Sequence, residues 1–287
     1  MDKTRVVLFG ASGTMGYQVF KELWKRRSSI DIVLLLLPAA REKKIFARYE
    51  KLAGTRPIAG RGVTQGDGLK IIWGDATVYP DVAQAVAGAD YVLNAMALIS
   101  PAADYYPEAA RAVNETAVRN IVDAIQAEPG GADRIRLVHT STVAATGDRL
   151  PPIHWGRVGD PLKPSIFDFY AVTKIAGERI VLESNIRHWA VLRMTFIMPD
   201  RFSALMRLRD PIMFHMPINA YMENIAASDA GFGMANVLDV PDDSGFWRGV
   251  YNMGGGPGMR LTANDYQNLA VQLLGLSGIQ AVSTVLP

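Results

Sequence analysis

The 287-residue sequence contains no cysteine. Disulfides, thiolate nucleophiles and Cys-ligated metals are excluded by that alone. There are four His, scattered and without a His-x-x-x-His pair, so no metal site is expected. Neither sign of charge dominates: 30 Lys and Arg stand against 28 Asp and Glu, a formal net charge of +2. That balance leaves no footprint for nucleic acid, and none is expected as a partner. Long hydrophobic runs are missing too. "IVLLLLPAA" (32–40) is the longest, far short of the ~20 apolar residues that span a bilayer, so no membrane partner is expected. No basic and apolar leader precedes the first strand pattern, and a cytoplasmic location is expected. Internal repeats and low-complexity tracts are also absent.

What is present is an alternation. Short apolar runs fall at 5–9, 31–37, 69–73, 91–95, 135–140 and 189–194. Helical patterns lie between them near 14–27, 41–52, 78–87, 105–127 and 168–184. Continuous apolar strands alternating with helices predict an α/β fold with a parallel sheet covered on both faces. Right-handed crossovers make it a doubly wound Rossmann fold. Residues 1–194 are expected to form a dinucleotide-binding domain. Residues 195–287 are expected to be mainly a smaller substrate-binding region, with 225–255 returning to the sheet. A helix is expected near 229–239, a strand at 249–254 and a last helix at 262–275 with Thr262 as its N-cap. The Gly-rich stretch 53–68 has no clear period. It reads as an extra hairpin or surface loop, or as a flap over the nucleotide end of a cofactor.

The first strand runs into "GASGTMG", with Gly10, Gly13 and Gly16 at the mouth of a helix. A tight turn, a close backbone approach to a pyrophosphate and a close helix–strand contact call for those three glycines. The helix N-terminus offers free N–H groups to the negative charge. Ser12, Thr14 and Met15 complete this turn and are expected against the cofactor. An acid at the end of the second strand would bind the ribose of NAD. The chain has Leu36, Leu37 and Pro38 there, followed by Arg41, Lys43 and Lys44. A cation at that place pairs with a 2′-phosphate, so NADP is expected over NAD, with Arg41 as the contact; the alternative is a solvated basic helix face.

The GxxGxxG spacing, with the motifs that follow, resembles the extended short-chain dehydrogenase/reductase family, which includes nucleotide-sugar epimerases and dehydratases. The resemblance is most specific over residues 5–195. It implies that Asp75 and Ala76 of "GDAT" contact the adenine. It implies that Asn94, Ala95 and Met96 of "LNAMA" line the cofactor, and that Asn114 of "VNETAVRNIV" positions water or backbone, or holds the helix. A homodimer through the helices at 105–127 and 168–184 is the family expectation.

Tyr170 and Lys174 of "FDFYAVTK" stand one helical turn apart, but so do Tyr17 and Lys21. Spacing alone does not choose between them. The resemblance does. It implies a Ser or Thr at the end of the fifth strand, five residues before a Gly, with Tyr-x-x-x-Lys on the next helix. "HTSTVAATG" supplies Thr142 before Gly147, and Tyr170 follows 28 residues later. Thr140 of the same stretch is placed among the cofactor contacts, with Tyr170 and Lys174. A phenol of ordinary pKa near 10 is a poor base at neutral pH, and a nearby ammonium stabilises the phenolate. Tyr170 is thus expected as general acid/base, Lys174 as its electrostatic support and Thr142 as a hydrogen-bond partner of the substrate oxygen. Ser141 is expected to point the opposite way.

The substrate, a small molecule, is less legible. Met194, Met198, Met206, Met213, Met216 and Met222, with Phe196, Phe202 and Phe214, form either an adaptable apolar lid or ordinary core. Arg201, Arg207 and Arg209 are either phosphate ligands or solvated charges. Pro199 lacks the Gly that precedes it in sugar-nucleotide members, and Val143 and Ala144 replace the acids of the dehydratases. An NAD(P)-dependent alcohol/carbonyl oxidoreductase is therefore expected. A nucleotide-sugar epimerase with tightly bound NAD, or a non-catalytic cofactor-binding sensor or scaffold, are the alternatives.

Overall fold

The computed structural model describes residues 3–147, 156–199, 219, 221–273 and 275. Eight strands form the main sheet: β1 (Thr4–Phe9), β2 (Ile30–Leu36), β3 (Gly62–Gly66), β4 (Leu69–Trp73), β5 (Tyr91–Asn94), β6 (Arg136–Thr142), β7 (His188–Met194) and, later in the chain, β10 (Gly249–Met253). Their order across the sheet is β10-β7-β6-β5-β1-β2-β4-β3. All neighbours are parallel except β3, which pairs antiparallel with β4 at the edge. The fold is a Rossmann-like α/β sheet. From β1 the chain steps outward to β2 and β4, then crosses to β5 on the other side of β1. The β1/β5 crevice is therefore the switch point, where such sheets bind ligands beyond the strands' carboxyl ends.

Alternate residues of each strand face two separate cores. Val6 and Leu8 pack with Val19, Phe20 and Leu23 of α1 (Thr14–Lys25), Phe46 and Tyr49 of α2 (Ala40–Leu52). Val7 and Phe9 pack with Val82 and Val86 of α3 (Tyr79–Val86) and with helices further along. Both faces being apolar explains why the strands read as unbroken hydrophobic runs.

The pattern over 105–127 is not one helix. It divides into α4 (Ala102–Tyr105), α5 (Pro107–Arg111), a π-helical turn (Ala112–Thr116) and α6 (Ala117–Ala127). Pro107 forces the first break, because the residue before a proline is pushed out of the helical region, and Tyr106 sits at φ −127, ψ 69. After α7 (Gly131–Arg134) and β6 comes α8 (Phe169–Leu182), started by Asp168, whose Oδ1 accepts the Ala171 N–H at 2.9 Å.

Residues 53–68 hold a hairpin partner for β4, with β3 as its strand. The preceding loop is fastened down: Lys43 Nζ lies over the Trp73 ring and donates to Ile58 O at 2.6 Å, and Arg61 pairs with Asp81.

A second sheet joins β8 (Phe196–Met198), β9 (Tyr221–Ala226) and β11 (Arg260–Thr262). Between them, α9 (Ala227–Ala235) packs on α1, and its continuation at Asn236–Asp239 is a 3-10 turn rather than the helix expected to 239. The last helix, α10 (Ala263–Leu273), begins at Thr262, whose Oγ1 accepts the Asp265 N–H at 3.1 Å. Among the described residues no helix is long and apolar enough to cross a membrane.

Candidate active site

The glycine turn is built as its sequence requires. Gly10 has φ 80, and a Cβ there would lie 2.7 Å from Met96 N and 2.8 Å from the Ala95 carbonyl carbon. A Cβ on Gly16 would overlap the Gly10 carbonyl. Gly13 caps α1 and, with Thr14, is exposed, so its surface faces outward. Apart from its chain neighbours, only the Gly10 carbonyl, at 3.3 Å, lies within 4 Å of a Cβ there among the described residues. An exposed helix N-terminus capped by a glycine at the switch point fits a pyrophosphate. Met15 is buried beneath the turn. Arg41 Nη2 donates to Ser12 O at 2.9 Å while its Nη1 meets Glu42 at 2.8 Å, which sets a largely exposed guanidinium beside the turn. Lys43 is committed to the 53–61 loop, and Lys44 is exposed.

Asp75 lies after β4. One carboxylate oxygen closes a turn by accepting from Thr77 N and Thr77 Oγ1, both at 2.9 Å. Ala76 is buried, with its carbonyl held by Asn120 at 3.0 Å.

The ends of β5 and β6 are stitched together. Thr140 Oγ1 donates to Asn94 O at 2.9 Å, Asn94 Oδ1 accepts from Met96 N at 3.1 Å, and Ala95 N donates to Phe9 O at 3.1 Å. Against these ends lies α8. Its fully buried Lys174 donates from Nζ to Thr140 O at 2.6 Å. Tyr170 lies one turn earlier on α8, and the Thr142 hydroxyl acts on its phenol in the direction that lowers its pKa. Thr142 Oγ1 accepts the Ala144 N–H at 3.2 Å and keeps its own proton to donate. Thr142, Tyr170 and Lys174 thus meet at the carboxyl edge of β6.

Burial raises the Tyr170 phenol above its ordinary pKa, the Thr142 hydrogen bond works against this, and Asp168 adds to it. Lys174 is not among the groups that shift it. The expected ammonium support for a phenolate is thus not expressed here: Nζ is turned to the Thr140 carbonyl. Burial lowers Lys174 itself to about 8, opposed by Glu178.

Asn114 is buried in the π-helical turn. Its Oδ1 accepts Leu98 N at 2.9 Å, and its Nδ2 donates to Leu98 O at 2.9 Å and to Thr173 Oγ1 at 3.0 Å. Its side chain therefore holds the loop after β5 against α8. Ser141 faces away from Thr142, with a buried hydroxyl that has no hydrogen-bond partner among the described residues.

Three residues that sequence reading passed over belong to this region. Glu178 and Arg193 form a buried two-point ion pair between α8 and β7. The i+4 step from Lys174 to Glu178 is the signal that marks it, since it places both on one helix face. The third, His139, is fully buried on β6 beside Asn94. Of the methionines and aromatics from the end of β7 onward, Met194 is buried and Phe196 exposed, and Met198 accepts the Tyr266 O–H at 3.1 Å. Arg201, Arg207, Arg209, Met206, Met213, Met216, Phe202 and Phe214 lie outside the described residues. Among the described residues no cluster of His, Asp and Glu could hold a metal.

With that geometry in place, the sequence matches the profile of the NAD dependent epimerase/dehydratase family over residues 6–203. The chain belongs to that family. Similar solved structures include UDP-glucuronic acid 4-epimerase from Bacillus cereus in complex with UDP-glucuronic acid and NAD, 16% identical with a TM-score of 0.70, covering 95% of this chain and 83% of that one. The enzyme WbmG from Bordetella bronchiseptica, in complex with NAD and UDP, is 17% identical with a TM-score of 0.68, covering 100% and 81%. A double mutant of DesIV, a dTDP-glucose 4,6-dehydratase from Streptomyces venezuelae with NAD and DAU bound, is 18% identical with a TM-score of 0.68, covering 95% and 81%. At these identities the likeness establishes the fold. No curated protein matches the chain.

Proposed function

We propose that this chain binds a nicotinamide dinucleotide at the β1/β5 switch point and uses Tyr170 to move a proton at the oxygen of an alcohol/carbonyl substrate. The observation that carries the reading is the convergence of Thr142, Tyr170 and the buried Lys174, whose Nζ donates to Thr140 O, at a strand end whose Thr140 also holds Asn94 of β5. The turn around Gly13 and the α1 N-terminus hold the pyrophosphate. Asp75 and Ala76 border the adenine, and Asn94, Ala95 and Met96 line the nicotinamide side. When bound, the nicotinamide ring supplies or takes up the hydride.

Tyr170 is held neutral by burial, so it is ready to donate a proton to a substrate oxygen that gains charge. Thr142 steadies the phenolate that remains. Lys174, freed from Thr140 O, supplies positive charge to it, and Asn114 fixes the helix that carries both. Arg41 extends the reading to NADP, because the site after β2 offers Leu37 rather than an acid and Arg41 stands beside the turn. The neighbours quoted above carry NAD, so the preference rests on Arg41 alone.

A second reading, nucleotide-sugar epimerisation with no net redox change, is favoured by the NAD and UDP-glucuronic acid of the similar epimerase structure. The two separate on one preparation. Purified protein is denatured and the released nucleotide measured, then fresh protein is given NADPH or NADH with a panel of carbonyl compounds. Loose cofactor and consumption of the reduced form support the oxidoreductase. Retained NAD and no net consumption support the epimerase. Failure to bind either dinucleotide overturns both.

A further inference from the structure

His139 Nδ1 lies 3.0 Å from Asn94 Nδ2. The rest of the amide fixes the roles. Asn94 Oδ1 accepts the Met96 N–H, so Nδ2 donates and Nδ1 accepts. A neutral imidazole that accepts at Nδ1 carries its proton on Nε2. Burial, reinforced by the charge of Lys174, drives the His139 pKa well down and keeps the ring neutral. Among the described residues Nε2, which is buried, has no hydrogen-bond partner. A ring with one nitrogen satisfied and the other unpaired carries a desolvation cost at Nε2 in a sheet interior. Breaches of a local rule of this kind tend to fall at functional positions.

The neighbours indicate what the imidazole supplies. The Asn94 backbone carbonyl is already held by Thr140 Oγ1. What depends on His139 is the Asn94 side chain, and through it the Met96 N–H. Met96 N is the atom that a Cβ on Gly10 would meet first. The turn after β5 and the glycine turn therefore close on each other at the point where the imidazole's influence ends.

We propose that His139 is a positioning residue of the dinucleotide site: its Nδ1 orients Asn94 so that Oδ1 holds the Met96 turn against Gly10. It touches no ligand and acts through Asn94. The inference rests on the dinucleotide reading given above.

The test compares His139→Phe with His139→Asn. Phe fills the space and removes the acceptor. Asn offers Oδ1 near the place of Nδ1. Binding of NADPH and NADH is followed by nicotinamide fluorescence, and melting temperature is recorded on the same samples. His139→Phe should bind dinucleotide about tenfold more weakly in its folded fraction, the size of one hydrogen bond, whatever its melting temperature. His139→Asn should recover most of the affinity. A purely structural histidine behaves differently: Phe changes the melting temperature and leaves affinity unchanged in the folded fraction, which overturns the inference. If the Phe ring does not fit and the variant fails to fold, His139→Leu takes its place and the contrast with Asn decides. Wild-type protein that binds neither dinucleotide overturns the functional reading itself. Wild-type protein that binds as well as His139→Phe overturns the positioning role alone.

Discussion

Lys174 Nζ donates to the backbone carbonyl of Thr140 at 2.6 Å, two residues before the Thr142 that meets Tyr170. The ammonium is thereby committed to the sheet interior, where burial lowers its pKa from 10.5 to about 8. Between those two values the unfolded chain binds more protons than the folded one, so stability rises with pH across that window. Below pH 8 a charged Lys174 costs the fold about 3 kcal/mol relative to a lysine in water. Lys174→Met should therefore unfold at higher urea at pH 7, flatten the rise from pH 8 to 10.5, and weaken dinucleotide binding. Urea titrations at pH 7 and 10 check this. An unchanged pH slope in the variant would mean that Lys174 is not depressed.

Tyr170→Phe should abolish turnover and leave dinucleotide affinity nearly intact, because it removes only the proton carrier. Retention of more than about a tenth of the wild-type rate would refute the acid/base assignment. Since burial raises the phenol, activity in the direction of carbonyl reduction should hold through neutral pH. Thr142→Val should lower the rate and Thr142→Ser should restore most of it, since the serine keeps a hydroxyl to pair with the phenol.

The Glu178–Arg193 pair joins α8 to β7 through contacts of 2.5 and 3.1 Å, with both side chains nearly inaccessible. Removing one partner strands a buried charge. Glu178→Leu should destabilise by about 3–5 kcal/mol, and the double variant Glu178→Leu/Arg193→Met should recover much of that loss. Chemical denaturation of the three variants measures it. Equal losses in the single and double variants would show that the space, not the charge, is what matters.

The strands β1, β2, β4, β5, β6 and β7 were legible because they are buried on both faces, which leaves nearly unbroken apolar runs in the sequence. The glycine turn was legible because Gly10 and Gly16 meet backbone where no Cβ fits. The edge strand β3 was legible only as the extra hairpin or surface loop expected over 53–68, since "GVTQG" carries one large apolar residue and forms through its ladder with β4. The division of 105–127 was hidden for a different reason: Pro107 is allowed in a first helical turn, and one extra π residue barely disturbs the apolar period. His139 and Asn94 face each other as register partners across β5 and β6. A relation between residues 45 positions apart belongs to strand register, and no local pattern carries it. The Glu178–Arg193 pair joins a helix to a strand, and only its Glu178 end carries a local sign, the i+4 step from Lys174.

Arg41 tests the choice of dinucleotide. Its guanidinium reaches Ser12 O from α2, while Lys43 is tied to the loop at Ile58 and Gly60. Arg41→Ala should weaken NADPH about tenfold or more and leave NADH within about twofold, the scale of one charge-assisted contact. Equal losses for both would assign Arg41 to shaping the turn through Ser12. No loss for either would return it to the solvated helix face.

Gly177 lies where α8 crosses the π-helical turn, and a Cβ there would overlap the Asn114 carbonyl. The atom in the way is backbone, so relief requires moving the turn or the helix. The same turn carries the Asn114 amide that holds Leu98 and Thr173. Gly177→Ala should thus destabilise by about 1–3 kcal/mol, as overpacking does, and should also lower the rate, because α8 carries Tyr170 and Lys174. Gly54→Ala is a control with open space around it but φ 76, so it samples backbone strain without a clash. Melting temperature and turnover on both variants separate the two effects. A Gly177→Ala protein that loses stability but keeps its full rate would mean that the helix can shift without disturbing the Thr142–Tyr170 contact.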